Sequence, residues 1–438
     1  MSKKNNLTIG VNDNIPFGQS LILGLQHVLA MDVYVPPFIL ATAIALSPGD
    51  ASGLIQSTFL AAGIASLIQV LFYLKLPVCQ GPSFIPLGAI IGIYMGSKDL
   101  GVVLGAGIVG SILMILLGYS GIYRYIVKNF IPSIVSGTII MIVGLTLLPS
   151  AFTSNIYVSS EALSINQNIL LAFITAFTLI LFSSIGNYWN RFKKLFQISS
   201  VIIALAVGTF SAYLMGGVNT AAIKEASFFS LPKLAFVDYH ISFNISAILT
   251  MLVIFAVLLA ETTGTWYAVS AVIDEPLEDK QLNRGVIGEG IGCLVASLVG
   301  ATPVTGYSTN AGIISITGIA SKKVFISASV WFISLSFLGK LAAVINSIPS
   351  SVIGGVFAVV CIIIMLNGFR VVKNLNFSER ELYIIGIPLI FAVGLLFIPK
   401  EVVATAPQTL QYLLGSPIAI GAIVAIIMNK LIPFRKEV

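Results

Sequence analysis

From Phe17 to the last residues of the chain, runs of Ile, Leu, Val, Ala and Phe recur between short polar breaks. Each is roughly 18 to 25 residues long, enough for a helix rising about 1.5 Å per residue to cross a ~30 Å hydrocarbon core. No other property constrains the fold as strongly. The composition agrees, with 57% hydrophobic and 9% charged residues against roughly a quarter charged in soluble domains. The expectation is an all-α polytopic membrane protein embedded in a lipid bilayer.

Hydropathy and chain breakers divide the sequence into about 14 spans. They cover roughly 17–46, 51–74, 78–96, 100–119, 130–149, 168–186, 196–216, 243–272, 284–301, 306–319, 324–346, 352–369, 382–398 and 408–432. Cytoplasmic loops collect Lys and Arg, and an N-terminus inside sorts the cations accordingly. Lys3, Lys4, Lys75, Arg124, Arg191, Lys280, Lys322, Arg370, Arg435 and Lys436 are among those on the inner side, while only Lys98, Lys224, Lys233, Lys340 and Lys400 fall outside. The net charge of +6 thus reports topology and implies no nucleic acid. The reading is a multi-pass cell-membrane protein with both termini cytoplasmic. The polar start, MSKKNNLTIGVNDN, has no small-residue cleavage site, so no removable signal peptide is expected. Cys79, Cys293 and Cys361 lack paired spacing, so neither a disulfide framework, a metal site nor a cofactor is expected.

An internal echo organises the spans. Ile131-Pro132-Ser133-Ile134-Val135-Ser136-Gly137 opens the fifth and Ile348-Pro349-Ser350-Ser351-Val352-Ile353-Gly354 opens the twelfth. An odd offset, about seven spans, places the two halves upside down relative to each other. Inverted repeats are an architecture of secondary transporters, with the binding site at the midplane where the halves meet. Two interrupted segments occupy corresponding positions: Leu76 to Gly88, LPVCQGPSFIPLG, and Thr302 to Gly318, TPVTGYSTNAGIISITG. Irregular backbone at membrane depth is tolerated where protein or a cavity satisfies it, and a half-helix start offers free N–H groups. These knots read either as a ligand cradle or as loops between spans.

Ionisable residues inside spans are few and expensive, about 2.5–3.5 kcal/mol each on insertion scales. Glu261, in LLAETTGTW, is the strongest candidate for function. Glu289, between Gly288 and Gly290, suits either function or helix pairing, and His27 beside Gln26 either joins the site or bridges helices. Asp32 lies nearer a span end and reads as solvated, and His240 in an outer loop is assigned nothing.

At these residues the chain resembles the nucleobase–ascorbate transporters, or nucleobase:cation symporter-2 family, which includes uracil, xanthine and uric acid permeases. Gln26-His27 matches the family's first-span pair, Ser83-Phe84 its third-span pair, Glu261 its eighth-span glutamate and Glu289 its ninth-span acid. The tenth-span signature appears as Thr309-Asn310-Ala311-Gly312, then Ile313 to Ile316, Thr317 and Gly318. Two positions depart: Thr309 stands where relatives carry Gln or Glu, and Thr265 where they carry His or Asp. Gly318 looks like members that carry oxidised purines.

The resemblance implies two inverted seven-span repeats, with short strands in segments 3 and 10. After a cytoplasmic tail (1–16), the core domain comprises spans 1–4 (17–119) and 8–11 (243–346). The gate domain comprises spans 5–7 (120–242) and 12–14 (347–438). Core moving against gate, in a homodimer, would import a nucleobase by proton symport, with sodium the second choice as coupling ion. An oxidised purine such as xanthine or uric acid is the expected passenger, with uracil the alternative. The substrate-binding candidates are Glu261, Phe84, Ser83, Thr309, Asn310, Ser308, Tyr307, Thr265 and Gln26. Glu261 would accept two N–H groups of a planar base, N–H groups near Ser83, Phe84 and Ser308 would meet its carbonyls, and Phe84 or Tyr307 would flank its ring. Glu261, Glu289 and His27 are the proton-coupling candidates.

Two other classes were weighed. An anion transporter or channel of the same inverted-repeat fold would want positive charge at the site, which Glu261 opposes. A membrane-embedded enzyme would need a nucleophile–base pair or metal cluster, for which 2 His and 3 Cys are too few; the chain is not expected to be an enzyme.

Overall fold

The computed structural model describes residues 7–160, 162–185, 193–218, 220–373, 375 and 377–432. Lys3, Lys4, Arg191, Arg435 and Lys436, whose charges contribute to the expected orientation, lie outside the described residues. The first half of the chain forms α1 (Phe17–Ala30), α2 (Val35–Ala43), α3 (Pro48–Leu71), strand β1 (Gln80–Pro82), α4 (Leu87–Ser97), α5 (Leu100–Ser120), α6 (Ile122–Phe130), α7 (Ser133–Ala151), α8 (Ile165–Ile185) and α9 (Lys193–Leu214). Two short helices follow, α10 (Thr220–Glu225) and α11 (Ala235–Asp238). The second half forms α12 (Ile245–Ile273), α13 (Asp279–Leu298), β2 (Val304–Gly306), α14 (Thr309–Thr317), α15 (Lys322–Ser336), α16 (Gly339–Asn346), α17 (Ser350–Val372), α18 (Glu379–Leu395), α19 (Lys400–Ala404), α20 (Gln408–Leu414) and α21 (Pro417–Leu431).

Seven helical stretches of the described residues are long and apolar enough to cross a membrane, and two sharply bent pairs, α15 with α16 (82°) and α20 with α21 (88°), bring the number to nine. Uninterrupted spans fall within a few residues of expectation: 243–272 is α12 and 352–369 is α17. The differences come where the backbone breaks. Segment 17–46 is interrupted over Met31-Asp32-Val33-Tyr34, just before Val35-Pro36-Pro37. Proline lacks an N–H and biases its predecessor away from helical angles, so it opens α2 but cannot continue α1. Segment 408–432 likewise breaks at Ser416-Pro417.

β1 and β2 pair antiparallel, with Gln80 opposite Gly306, Gly81 opposite Thr305 and Pro82 opposite Val304. The Ser83 N–H donates to Pro303 O (3.0 Å) and the Tyr307 N–H to Cys79 O (3.1 Å), lengthening the ladder at both ends. A two-stranded ribbon leaves outer edges that lipid cannot satisfy. Neighbouring helices supply the partners. Ser66 Oγ of α3 accepts the Gln80 N–H (2.7 Å), and Thr262 Oγ1 of α12 accepts the Gly306 N–H (3.3 Å). Thr265 Oγ1 donates to Gly306 O (3.0 Å), and Cys293 Sγ of α13 donates to Val304 O (3.2 Å). The polar residues scattered through these apolar helices therefore hold irregular backbone at membrane depth.

The helices pack in two groups. In one, α3 lies against α13 and α15, α5 against α12 and α13, and α1 against α15. In the other, α7 lies against α17, α8 against α9 and α17, and α18 against α7 and α21. The two helices opened by the Ile-Pro-Ser echo, α7 and α17, are thus partners. Their approach requires glycine: a Cβ on Gly368 would come within 2.6 Å of Gly137 O and of the Met141 backbone N. Within the expected N-terminal tail, the Thr8 and Ile9 N–H groups donate to Gly318 O (2.8 and 3.0 Å), and the Ala320 N–H to Ile9 O (2.9 Å). This start of the chain is stitched to the loop after α14.

Loop contacts sort the breaks onto two faces. Gln281 Nε2 donates to Leu74 O (3.0 Å) and Arg124 pairs with Asp279 (2.6 Å), joining segments expected on one side. Lys233 pairs with Asp50 and Asn346 Nδ2 donates to Pro48 O (3.3 Å), joining segments expected on the other.

Candidate functional site

The strand pair brings the two halves of the chain to one point, and α12 runs beside it. Glu261 sits half-buried on α12, where Ser83 Oγ donates to its Oε2 at 2.7 Å. The same Ser83 oxygen accepts the Ile85 N–H (3.1 Å) while its proton is directed at the carboxylate. Neither Glu261 nor Glu289 has a cationic partner among the described residues. Oε1 of Glu261 accepts no hydrogen bond from them either.

Free donors lie on both sides of the crossing. The Phe84 N–H, just past β1, and the Ser308 and Thr309 N–H groups at the start of α14 donate to no backbone or side-chain group among the described residues. Ser308 and Thr309 are exposed. The Ser83 N–H, expected to serve a ligand carbonyl, is instead spent on Pro303 O. The helix start adds its positive dipole end to these donors.

Three other expected site residues build the cradle. Asn310, fully buried, donates from Nδ2 to Tyr307 O (2.8 Å) and Cys79 O (3.4 Å). With its amide N–H groups so directed, its Oδ1 can only accept, which places the proton of His27 on Nδ1, 3.0 Å away. His27 also packs on Phe325, ring centroids 4.4 Å apart. This pair latches α1 to α14. Tyr307, expected beside a ligand ring, is buried with its hydroxyl donating to Pro82 O (3.0 Å). Its ring fills the space where Gly81 has no Cβ; one there would meet the ring at 2.5 Å. Thr265 is likewise committed to Gly306 O.

The ring neighbour that remains is Phe84, stacked on Phe357 of α17 with centroids 5.8 Å apart and planes 13° off parallel. Phe84 lies just past β1 and Phe357 on α17, so the stack joins the strand crossing to the second packing group. Gln26, next to His27 on α1, is half-buried and its side chain makes no hydrogen bond among the described residues.

Glu289 does not share the Glu261 cluster. It is fully buried on α13, where Gln69 Nε2 of α3 donates to its Oε2 (3.1 Å) and to Gly285 O (2.8 Å). Its Oε1, Gln69 Oε1 and Thr305 Oγ1 have no partner. Gln69 escaped the sequence reading although an amide within IASLIQVL is a signal of the same kind as an intramembrane carboxylate. Asp32 occupies the break between α1 and α2, half-buried, near Tyr307, Tyr34 and, on α17, Cys361. Phe357 had no distinguishing mark in its apolar run.

A multi-pass helical membrane protein in which two broken segments meet as strands beside a carboxylate and free helix-end N–H groups has the make-up of a membrane transporter. The particular kinship follows from sequence: residues 18–401 match the permease family Xan_ur_permease, and the chain belongs to that family. The chain is 30% identical over 420 residues to the uric acid permease PucK of Bacillus subtilis (strain 168), covering 94% of this chain and 95% of that one. It is 29% identical over 423 residues to the xanthine permease of the same organism, covering 94% and 93%. In fold it is similar to the transmembrane domain of the cyanobacterial bicarbonate transporter BicA, with a TM-score of 0.61 at 16% identity over 97% of this chain and 100% of that one.

Proposed function

We propose that the protein imports a nucleobase, preferentially an oxidised purine such as xanthine or uric acid, by proton symport. The observation that carries this reading is Glu261. Its carboxylate is oriented by Ser83 at 2.7 Å, has no ion-pair partner among the described residues, and belongs to the same crossing as the unpaired N–H groups of Phe84, Ser308 and Thr309. An acceptor opposite donors is the complement of a planar base edge that alternates N–H and C=O, and charge-assisted contacts of this kind are the strong ones. Thr309, shorter than the Gln or Glu of the resembling family, leaves room for a ring substituent on that side.

In this reading the α1, α3, α5, α12, α13, α15 group is the core, carrying the site, and the α7, α8, α9, α17, α18, α21 group is the gate. The passenger lies against Phe84 and Phe357, and an elevator-type displacement of core against gate carries it across, with both termini in the cytoplasm and two copies forming a homodimer. Glu261 and Glu289 are the carboxyls available to a coupling proton. Bicarbonate is the cargo of the structural neighbour BicA, but an uncompensated carboxylate at the crossing disfavours an anion here. Calorimetric titration of the purified protein with xanthine, uric acid, uracil and bicarbonate tests the reading. Saturable binding of an oxidised purine, weaker for uracil and absent for bicarbonate, is the expected result, and bicarbonate binding alone would overturn it.

A further inference from the structure

A second cavity, of about 650 Å³, opens between α1, α9 and the α15–α16 bend, away from Glu261. Its floor is apolar and buried: Val28, Met31, Phe59, Leu205 and Ile345. Its rim is exposed: Leu29, Phe210, Tyr213 and Val344 are between 40% and 63% accessible. The lining is mostly apolar, with Tyr34, Thr209 and Ser347 its few hydroxyl groups beside Tyr213 at the rim. The volume lies in the range of small-molecule sites. Along α9 the lining runs from Ile202 to Tyr213, about 16 Å at 1.5 Å per residue. That is roughly half the ~30 Å hydrocarbon core, the depth of one leaflet.

Charge marks the mouth. Ile223 and Leu341 line the cavity, and each is followed or preceded by a lysine, Lys224 on α10 and Lys340 on α16, two helices that touch. Neither lysine has an ion pair among the described residues. Glu225 is exposed beside Lys224, so the two ammonium groups leave the mouth net positive. Both lysines belong to the few cations that the charge sorting puts outside, where insertion gives no reason for them.

We propose that this cavity holds one acyl chain of a bilayer phospholipid, whose phosphate rests against Lys224 and Lys340. The chain would lie between α1, Phe59 and the α15–α16 bend on one side and α9 on the other, and so between the two packing groups. The inference does not depend on which molecule Glu261 binds.

Native mass spectrometry of the purified full chain after detergent exchange tests it. The parent should retain one phospholipid per chain. Ala206→Trp, which plugs the lining, and the double variant Lys224→Gln/Lys340→Gln should each lower retention at least about tenfold. Phosphatidylglycerol returned to stripped protein should raise the thermal midpoint of the parent and leave that of Ala206→Trp unmoved. The lysine variant, altered only at the surface, keeps the test decisive should Ala206→Trp fail to fold. Retention unchanged in the lysine variant, stabilisation by inorganic phosphate or by detergent alone, or a dimer without phospholipid that Ala206→Trp dissociates would each overturn it.

Discussion

Replacing Glu261 by Gln isolates the proposed recognition chemistry. The side chain keeps its size, and Ser83 constrains how the amide can sit. Ser83 Oγ already accepts the Ile85 N–H at 3.1 Å, and its proton needs an acceptor, for which the amide oxygen is the one on offer. That leaves the Gln NH₂ facing the passenger, donor against donor. Losing a charge-assisted pair while stranding a buried polar group costs about 2–5 kcal/mol, or roughly 30- to 4,000-fold in Kd. The fold should not suffer, because a neutral amide is cheaper than a carboxylate at membrane depth; the thermal midpoint should hold or rise. Calorimetric titration with xanthine and uric acid, alongside thermal unfolding, reads both quantities. Glu289→Gln, held by Gln69 and beside Thr305 rather than Ser83, should bind nearly as the parent does and lose uptake instead. If Glu261→Gln binds within about threefold of the parent, the carboxylate is helix glue and the site lies elsewhere.

Thr309→Gln should lengthen the reach at the start of α14 and reorder the preference among xanthine, uric acid and uracil in competition uptake; an unchanged order would remove Thr309 from the site. Uptake should rise with an inward proton gradient and collapse with a protonophore, whereas uptake tracking Na⁺ at fixed pH would reassign the coupling ion. Asn310→Ala should leave the buried His27 Nδ1 without its partner, lowering stability by about 1–3 kcal/mol in denaturation of the purified protein; a parental midpoint would mean the latch is dispensable. Gly368→Val must push α17 off Gly137 and Met141, where the obstacles are backbone atoms, so a loss of about 1–3 kcal/mol or more is expected in the same assay, and a neutral result would contradict the close α7–α17 approach.

The spans were legible because their signal is local: length and apolarity alone predicted α12 and α17 to within a few residues. The breaks were legible where proline or glycine marks them, as in Leu76 to Gly88. They were less so at Met31 to Tyr34, because the prolines that enforce the break come after it, inside the next helix. Glu261, Ser83, His27 and Asn310 stood out as polar groups in oil, yet only the fold shows who meets whom. The Ser83–Glu261 bond spans 178 residues and the His27–Asn310 bond 283. Thr265 and the Tyr307 hydroxyl meet carbonyls of the strand segments, Gly306 O and Pro82 O, and such partnerships cannot be read from sequence because the strands come together only in the fold. Phe357 was invisible because an aromatic in an apolar helix acquires meaning only from the ring across from it.

That same network suggests how the two carboxyls communicate. Glu261 and Thr262 are adjacent on α12; Thr262 accepts the Gly306 N–H (3.3 Å), and Thr305, next along β2, lies beside Glu289. On the proposed reading, a base held at Glu261 pulls on α12 and hence on β2, changing what Thr305 can offer to the orphan Oε1 of Glu289. A proton at Glu289 acts back along the same path, because coupling between two binding events is reciprocal. The dependence of proton coupling on Thr305 follows directly. Thr305→Val removes the hydroxyl while keeping the β-branched shape that suits a strand. It should flatten the pH dependence of base binding, with affinity near the parental value at neutral pH and departing from it as the pH moves away. A pH dependence identical to the parent's would mean that the coupling runs by another route, and that Thr305 serves only to fill the space behind the strand.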